Sequence, residues 1–404
     1  MSLPQPQPDQ HSYVDQEVIR RHANNLSARL HAQRVRQNHP GIQKRLRKFT
    51  SGEVARMIGV ADSYLRQLSI EGKGPPIEVA PNGRRLYSVE DINALRAFLD
   101  GADKARRQYV KHRSGSEHLQ IISCVNFKGG SAKTTTTAHL AQYLALNGYR
   151  VLAVDLDPQA SLTAIHGLQP ELDVGENQTM YGAIRYAADA CHPREVIQRT
   201  YFPGLDLIPA NLELTEFETE TPMHLRSHNR NTSVMFFERV GLALSAVSDD
   251  YDIVLIDCPP QLGFLTMSAL SASTALVVTV HPQMLDVMSM SQFLKMTSEM
   301  LDVVQGAGGK VQYDWIRYLV TRYEPSDKPQ TDMVDFLREM FQEHVLKNPV
   351  LKSTAISDAG ITKQTLYEVP REDFSKGTYD RAMDSLNSVN AEIEELIKSA
   401  WGRV

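Results

Sequence analysis

Residues 121–146 read IISCVNFKGGSAKTTTTAHLAQYLAL, in which a short apolar run is followed by a Gly-rich turn and then by a helix-like stretch. A strand, a tight turn and a helix in this order point several backbone N–H groups at one spot, and the helix N-terminus adds its partial positive charge there. Lys133 is placed to reach the β- and γ-phosphates of a nucleotide, and the Thr134 hydroxyl is placed to ligate Mg²⁺. The stretch therefore predicts a nucleoside triphosphate site.

The loop departs from the usual phosphate-loop pattern G-x-x-x-x-G-K-[ST], because Phe127 and Ala132 hold the two glycine positions. An alanine there predicts either a negative φ or a loop strained by about 1 kcal/mol. A second lysine, Lys128, precedes the paired glycines, and this double-lysine loop resembles the deviant Walker A motif of the ParA/MinD class of ATPases. The resemblance implies that Lys128 crosses a dimer interface to the partner's nucleotide. It also implies a nucleotide-binding loop made of Lys128, Gly129, Gly130, Ser131, Ala132, Lys133, Thr134 and Thr135.

Two further apolar runs end in aspartates. Residues 151–161 read VLAVDLDPQAS and residues 251–260 read YDIVLIDCPP. The two-residue period of a strand sends Asp155 and Asp157 to the same face at its carboxyl end, where ligands of open α/β sheets bind. These stretches resemble the Walker A′ and Walker B segments of the same class. The resemblance implies that Asp157 positions the attacking water, and that Asp155 and Asp257 hold the Mg²⁺ together with Thr134.

The resemblance also implies a mechanism. Phosphoryl transfer to water depends mostly on positioning and charge neutralisation, which here fall to Lys133, Asp157 and the loop amides. Lys128 completes the site when two protomers face each other, so the catalytic set is Lys128, Lys133 and Asp157. An incomplete monomeric site predicts slow, Mg²⁺-dependent hydrolysis of ATP to ADP, with ATP holding a homodimer together.

The composition bounds the remaining organisation. The 404 residues carry a net charge of −5, but residues 1–118 hold 20 Lys and Arg against 12 Asp and Glu, a net of +8, and the rest carries −13. A basic N-terminal part (residues 1–118, called the front below) on an otherwise acidic protein suggests that this part binds a polyanion. Three widely spaced cysteines offer neither a disulfide framework nor a metal pattern. With no apolar run of transmembrane length and a polar, Pro-rich start, we expect a cytoplasmic protein without a membrane partner.

The front divides into three parts. Residues 1–47 read as a polar tail followed by a helix that either pairs with a second copy or packs on its own domain. Residues 48–100 predict two short helices about a turn at residues 59–61, a hairpin over 77–87 and a third helix, with Thr50 and Glu53 as a capping box. Residues 101–118 read as a basic linker that either is merely solvated or also touches DNA phosphates.

The order of helices and hairpin in residues 48–100 resembles the MerR-like winged helix-turn-helix domains. In such a domain the second helix would face the major groove, and the wing would lie on the backbone or in the minor groove. The implied DNA contacts are Ser63, Tyr64, Arg66 and Gln67 on the helix, and Arg84 and Arg85 on the wing.

From residue 119 to residue 404, apolar strand candidates alternate with helical stretches. The candidates are 121–125, 151–155, 205–208, 253–256, 275–280 and 316–320. This alternation predicts an α/β fold with a mostly parallel, doubly wound sheet covered on both faces. The resemblance of the phosphate loop implies that this sheet is of the deviant-Walker P-loop ATPase type.

Taken in order, these motifs resemble the large ParA-type plasmid partition ATPases, and in particular the RepA proteins of repABC replicons. The resemblance implies ATP/ADP and Mg²⁺ as ligands, nonspecific DNA binding at the nucleoid, stimulation by a ParB-like centromere-binding partner, and repression of the protein's own operon by the winged domain. Nonspecific DNA contacts would come from late basic residues, for which the candidates are Arg322, Lys352, Lys363 and Arg371.

Three other protein classes share some of these signals. A MinD-like membrane positioner would need a basic amphipathic C-terminal helix, whereas the last helical stretch is acidic at Glu392, Glu394 and Glu395. An iron-protein-like electron carrier would need cluster cysteines, which Cys191 and Cys258 do not convincingly supply. A transcription regulator that uses ATP as an effector alone would show no hydrolysis with DNA and partner present.

Overall fold

The computed structural model describes residues 16–37, 44–102, 108–226 and 234–403. The chain divides into two units, residues 1–44 and 45–404. The first unit contains helix α1 (Gln16–Gln37), which lies where the sequence predicts a helix. The predicted N-terminal tail, up to residue 15, and linker residues 103–107 lie outside the described residues.

The second unit begins with a small winged segment. Its elements are β1 (Phe49–Thr50), α2 (Ser51–Ile58), α3 (Asp62–Ile70), β2 (Glu78–Val79), β3 (Arg85–Tyr87) and α4 (Val89–Ala102), with sheet order β1-β3-β2 and antiparallel pairing. The predicted capping box opens α2, because the Thr50 amide donates to Glu53 Oε2 at 2.8 Å. Gly59 ends this helix at φ 81°, a left-handed conformation that favours glycine.

A seven-stranded sheet forms the centre of the unit. Its strands are β4 (Gln120–Val125), β5 (Val151–Asp155), β6 (Gln198–Arg199), β7 (Leu205–Ile208), β8 (Ile253–Asp257), β9 (Ala275–Val280) and β10 (Trp315–Val320). Their order is β10-β9-β4-β8-β5-β7-β6, and β6 alone among these strands pairs antiparallel. All six predicted strands are present within one residue of their predicted ends. The short edge strand β6 has no apolar pattern and was not predicted.

Helices connect and cover the strands. They are α5 (Lys133–Leu146), α6 (Ser161–Ile165), α7 (Pro170–Asp173), α8 (Met180–Ile184), α9 (Pro193–Val196), α10 (Thr215–Arg226), α11 (Arg239–Ser245), α12 (Phe264–Ala272), α13 (Met284–Gly306), α14 (Lys328–Phe341), α15 (Thr354–Ile361) and α16 (Lys376–Ala400). Apolar residues form a separate cluster on each face of the sheet, and β4, β5, β8 and β9 are buried along their whole length. The predicted doubly wound, mostly parallel sheet is therefore confirmed.

The winged segment packs on the sheet domain through a buried arginine. Arg96 of α4 is 2% exposed, and its Nη2 donates at 2.5 Å to the carbonyl of Leu146, the last residue of α5. Burial lowers the pKa of the Arg96 guanidinium to about 10. A Cβ on Gly148 would lie 3.1 Å from this side chain, so the glycine makes room for it. The two parts of this unit are thus tightly fitted at the far end of α5.

The linker differs from its prediction. Lys111 forms an ion pair with the buried Glu394 of α16 at 2.7 Å, and Arg113 Nε donates to the Tyr251 carbonyl at 2.8 Å. These two side chains are therefore bound to the sheet domain and not merely solvated, because Glu394 and the Tyr251 carbonyl supply acceptors that no local sequence pattern reveals.

Candidate nucleotide site

The predicted phosphate loop and both aspartate-bearing strand ends meet at one edge of the sheet. Strand β8 lies between β4 and β5, and Asp257 is the register partner of Cys124 on one side and Asp155 on the other. Because parallel strands present their carboxyl ends together, the loop after Val125 lies beside the two acids. The fold thus brings together the loop after Val125 and the strand ends at Asp155 and Asp257, although the first and last of these lie more than 100 residues apart in the sequence.

The loop is held in a strained but well-supported shape. Ala132 adopts φ 69° and ψ 24°, so the alternative of a strained loop is the one that the structure shows. Two threonines at the ends of neighbouring strands support it: Thr279 Oγ1 donates to Ser131 Oγ at 3.1 Å, and Thr321 Oγ1 donates to the Ser131 carbonyl at 3.1 Å. Asn126 Oδ1 accepts from the Lys128 amide at 3.0 Å. Strain at a ligand site is tolerated when its surroundings fix it in this way.

Lys133 begins α5 and lies inside the loop. It is 6% exposed, and its Nζ donates to the Lys128 carbonyl at 3.4 Å. Burial lowers its pKa, while the nearby Asp257, Cys258 and Asp157 act in the opposite direction. A desolvated ammonium at a helix N-terminus, bonded weakly to one carbonyl, is well placed to bind phosphate oxygens.

Lys128 lies on the outer side of the loop. Its side chain is 42% exposed, and its Nζ forms an ion pair with Asp286 in the first turn of α13. Asp286 is 7% exposed and is also 3.3 Å from His281 Nδ1. The two lysines of the motif therefore have different surroundings, with Lys133 turned into its own loop and Lys128 on the surface.

Asp257 and Thr134 fit a divalent cation. Asp257 is fully buried, and among the described residues neither of its carboxylate oxygens has a hydrogen-bond donor. Burial raises its pKa well above the usual range, and the charge of Asp155 adds to this rise, while the Thr134 hydroxyl opposes it. A buried, unpaired carboxylate beside a hydroxyl and the phosphate loop has the oxygen ligands that Mg²⁺ prefers. Among the described residues no cluster of three His, Cys, Asp or Glu side chains could hold a metal ion.

Asp155 and Asp157, at the end of the neighbouring strand β5, differ in burial and in hydrogen-bond partners. Asp155 is fully buried, and its Oδ2 accepts from the amide and hydroxyl of Thr163 at 2.8 and 2.7 Å. Burial raises its pKa. Asp157 is half-buried, and its Oδ1 accepts from the Gln159 amide at 3.0 Å. Asp157 is thus the more accessible of the two, whereas Asp155 braces α6; their roles in hydrolysis and metal binding remain predictions.

Five of the six predicted DNA contacts of the winged segment are exposed on its surface. Ser63, Tyr64, Arg66 and Gln67 are exposed on α3, where Arg66 pairs with Asp62 at 2.5 Å and Gln67 donates to Glu71 at 2.8 Å. On the hairpin Arg84 is exposed, but Arg85 is part-buried and donates to Ser69 Oγ at 3.0 Å. Arg85 therefore ties the hairpin to α3.

The four late basic candidates are not in equivalent places. Arg322 has φ 55° and donates to the Gly130 carbonyl at 3.3 Å, so it lies beside the nucleotide loop. Lys352 pairs with Glu324 at 2.6 Å, and Arg371 pairs with Asp380. Lys363 is part-buried, at φ 55°, two residues after the end of α15. DNA binding by each of them remains a prediction.

Sequence reasoning missed several residues of the site. Asp286, the partner of Lys128, lies six residues after the end of β9. The signal that could have indicated it is an acid shortly after a buried strand, in the stretch HPQMLD (residues 281–286). The supporting Thr279 and Thr321 also lie at carboxyl ends of strands. No local pattern indicates Thr163, whose contact with Asp155 depends on how α6 folds back.

Comparisons with known proteins agree with this geometry. A family model described as an AAA domain matches residues 119–305. A Rhizobium rhizogenes protein named as a replication protein A is 53% identical over 386 residues, 96% of this chain and 95% of that protein. Protein SopA of Escherichia coli K12 is 30% identical over 370 residues, 90% of this chain and 92% of SopA.

The chain belongs to the ParA family of plasmid partition ATPases. A solved structure described as a partition protein covers 93% of this chain and 98% of its own, with a TM-score of 0.63 at 20% identity, which supports the fold. The sporulation initiation inhibitor protein Soj of Bacillus subtilis is 30% identical over 246 residues, 59% of this chain. In the parts of this ParA-family chain that the structure describes, no helix is long and apolar enough to span a membrane.

Proposed function

We propose that this ParA-family protein segregates DNA by an ATP-controlled cycle of dimerisation. Each protomer binds ATP and Mg²⁺ with Lys133, Thr134 and Asp257, and Asp157 orients the attacking water. Lys128 reaches the nucleotide of a second copy, so hydrolysis requires two facing protomers and is slow. ATP-bound dimers bind DNA without sequence preference, and a ParB-like partner accelerates hydrolysis at the DNA.

The observation that carries this proposal is the contrast between the two lysines of one loop. Lys133 is buried under its own loop, while Lys128 is half-exposed and held by an acid of α13. One lysine serves the protomer's own phosphates. The other has a mobile, four-carbon side chain at the surface and can exchange Asp286 for a phosphate brought by a facing copy.

Binding of ATP also explains a buried acid that is otherwise unpaired. Asp257 is desolvated beside Asp155, an arrangement in which both carboxylates cannot readily ionise without a cation. When bound, Mg²⁺ would neutralise charge on the phosphates and on Asp257. Among the residues of this chain, Thr134 would contribute its hydroxyl and Asp257 its carboxylate.

We further propose that the winged segment binds the operator of the protein's own operon and represses it. The exposed polar and basic side chains on α3 support this role. With the cycle above, we expect the protein to act in the cytoplasm, at the nucleoid.

The decisive experiment measures ATP hydrolysis by the protein alone, with nonspecific DNA, and with DNA plus the ParB-like protein of the same operon. We expect slow basal hydrolysis and a stimulation by both together that exceeds the sum of the separate effects. Undetectable hydrolysis under all three conditions would favour an ATP-controlled transcription regulator. Liposome flotation in the presence of ATP tests the membrane alternative, for which we expect no binding.

A further inference from the structure

The loop that follows Asp257 is held by a side chain from another part of the fold. This switch loop (residues 257–263) joins β8 to α12, and α12 begins after Gly263, which has no side chain to cap a helix. The first amides of a helix have no partner within the helix, so another group must satisfy them. Glu218 of α10 does so: its Oε2 accepts from the Phe264 amide and its Oε1 from the Leu265 amide, both at 2.9 Å.

Glu218 and Gly263 fit each other closely. A Cβ on Gly263 would lie 2.6 Å from Glu218 Oε2, which is closer than any ordinary contact. Gly263 has φ −92°, so its backbone conformation does not require glycine. The absence of a side chain at residue 263 is therefore explained by the space that the Glu218 carboxylate needs. A second contact fixes the same corner, since Thr266 Oγ1 donates to the Gln261 carbonyl at 2.6 Å.

The segment that carries Glu218 also touches the other side of the nucleotide site. The amide of Ala210 donates to Thr163 Oγ1 at 2.8 Å, and Thr163 in turn donates to Asp155. Between Ala210 and Glu218 the chain is anchored by Leu214 and Phe217, both fully buried. Residues 210–218 therefore form a bridge between the strand end of Asp155 and the loop of Asp257.

We infer that Glu218 is a positioning residue for ATP hydrolysis, which fixes the switch loop relative to the phosphates. It touches neither nucleotide nor metal; it acts by holding the first turn of α12, and with it the far end of the loop that begins at Asp257. A loop anchored at both ends keeps its backbone and Asp257 in one arrangement. The inference rests on the proposed ATPase function and adds a residue to its machinery.

The test compares Glu218→Ala and Glu218→Gln with Glu216→Gln, an exposed acid on the same helix. Because small displacements of catalytic groups have large kinetic effects, we expect Glu218→Ala to lower kcat by about tenfold or more, while KM and the Kd for a non-hydrolysable ATP analogue stay within about twofold. Glu218→Gln keeps one acceptor oxygen and should lie in between. Glu216→Gln should match the wild type.

Gly263→Ala supplies a second, independent arm. In the wild-type background its methyl group displaces the Glu218 carboxylate, so it should lower kcat about as much as Glu218→Ala. In the Glu218→Ala background that clash is gone, and Gly263→Ala should have little further effect. Non-additivity of kcat would show that the two changes act through one contact, and an unchanged thermal midpoint in all three variants would separate this effect from a weakened fold.

The outcomes separate the two proposals. An active wild type with unchanged kcat in Glu218→Ala, or with losses of kcat that track losses of analogue binding and thermal stability, would overturn the role of Glu218 alone. Additive effects of Glu218→Ala and Gly263→Ala would overturn it too. A wild type that is inactive with DNA and partner would contradict the proposed function, and this inference with it.

Discussion

The nucleotide loop and the winged segment differ in how far the protein fixes their side chains before a ligand binds. In the loop, Lys133 is desolvated, as is the neighbouring Asp257, and Ser131 is held by threonines at the ends of two strands. On α3 of the winged segment, Arg66 and Tyr64 are exposed, and Arg66 has an acid of its own helix as its partner. The side chains of the loop are already held in place without a ligand, whereas the exposed side chains of α3 would have to be ordered by the ligand that they bind.

The proposed function accounts for this difference. Phosphoryl transfer needs groups held to a fraction of an ångström, and burial makes their charges effective. DNA binding depends on displacing counterions and on side chains that adapt to base edges, so exposed groups suffice. On that proposal, the chain uses desolvated groups for chemistry and solvated groups for DNA recognition. Substitutions should therefore have large, specific effects in the loop and smaller, salt-dependent effects at the surface.

The largest effect is expected at Lys133. Lys133→Gln removes the ammonium that points into the loop and keeps a side chain of similar length. Lys128, the other lysine of the loop, lies on its outer side. We expect hydrolysis to fall by about 100-fold or more, which is the scale of losing a preorganised charge at a transition state. Phosphate release with DNA and partner present measures it. Lys295→Gln, an exposed lysine of α13, is the control, and a Lys133→Gln protein with half the wild-type rate would contradict the assignment.

A smaller effect is expected at Arg66. Its exposed ion pair with Asp62 contributes little to folding, so Arg66→Ala should leave the thermal midpoint unchanged. If α3 enters the major groove, affinity for DNA from the protein's own operator region should fall by about tenfold. Fluorescence anisotropy measures this against Arg381→Ala, an exposed arginine of α16. Equal affinity of both variants would remove Arg66 from the DNA contacts.

Lys352 tests the surface of the sheet domain. Lys352→Glu should weaken ATP-dependent binding to nonspecific DNA several-fold and lower the slope of log affinity against log salt by about 1. Lys352 is half-exposed and paired with Glu324, so folding should be little affected. A titration in NaCl with Lys295→Glu as control gives both quantities. Unchanged affinity and slope would exclude Lys352 as a DNA contact.

The smallest effect is expected at Ala132. Ala132→Gly removes a left-handed strain of about 1 kcal/mol, but glycine also gains about 0.4–1 kcal/mol of freedom in the unfolded chain. We therefore expect the free energy of unfolding to change by less than about 1 kcal/mol, whereas a β-branched Ala132→Val should be clearly destabilising. Urea unfolding measures both. A valine variant as stable as the wild type would contradict the strained loop.

The sequence predicted the sheet well because each buried parallel strand carries its own apolar run. Strands β4 and β9 match their predicted ranges to within one residue, and the glycines and lysines of the phosphate loop are adjacent in sequence. Strand β6 was missed because Gln198 and Arg199 have no apolar alternation. Strand pairing with β7 defines it, and no local pattern does.

Contacts between distant segments explain the other differences. The ion pair between Asp286 and Lys128 joins residues 158 positions apart in the sequence, and the hydrogen bond between Glu218 and the Phe264 amide joins residues 46 positions apart. Arg322 was predicted as a DNA contact from its charge and position in the chain, but its place beside Gly130 depends on the pairing of β9 with β10. Motifs thus predict which residues line a site, while the fold decides which residues hold them.

The central claim is that Lys128 leaves its own protomer to complete the site of a second copy. A structure of the protein with Mg²⁺ and a non-hydrolysable ATP analogue tests it most directly. We expect two facing protomers in which Lys128 has left Asp286, with its Nζ within about 3 Å of a phosphoryl oxygen of the partner's nucleotide. A facing pair in which Lys128 remains bound to Asp286, far from any phosphate, would contradict the account.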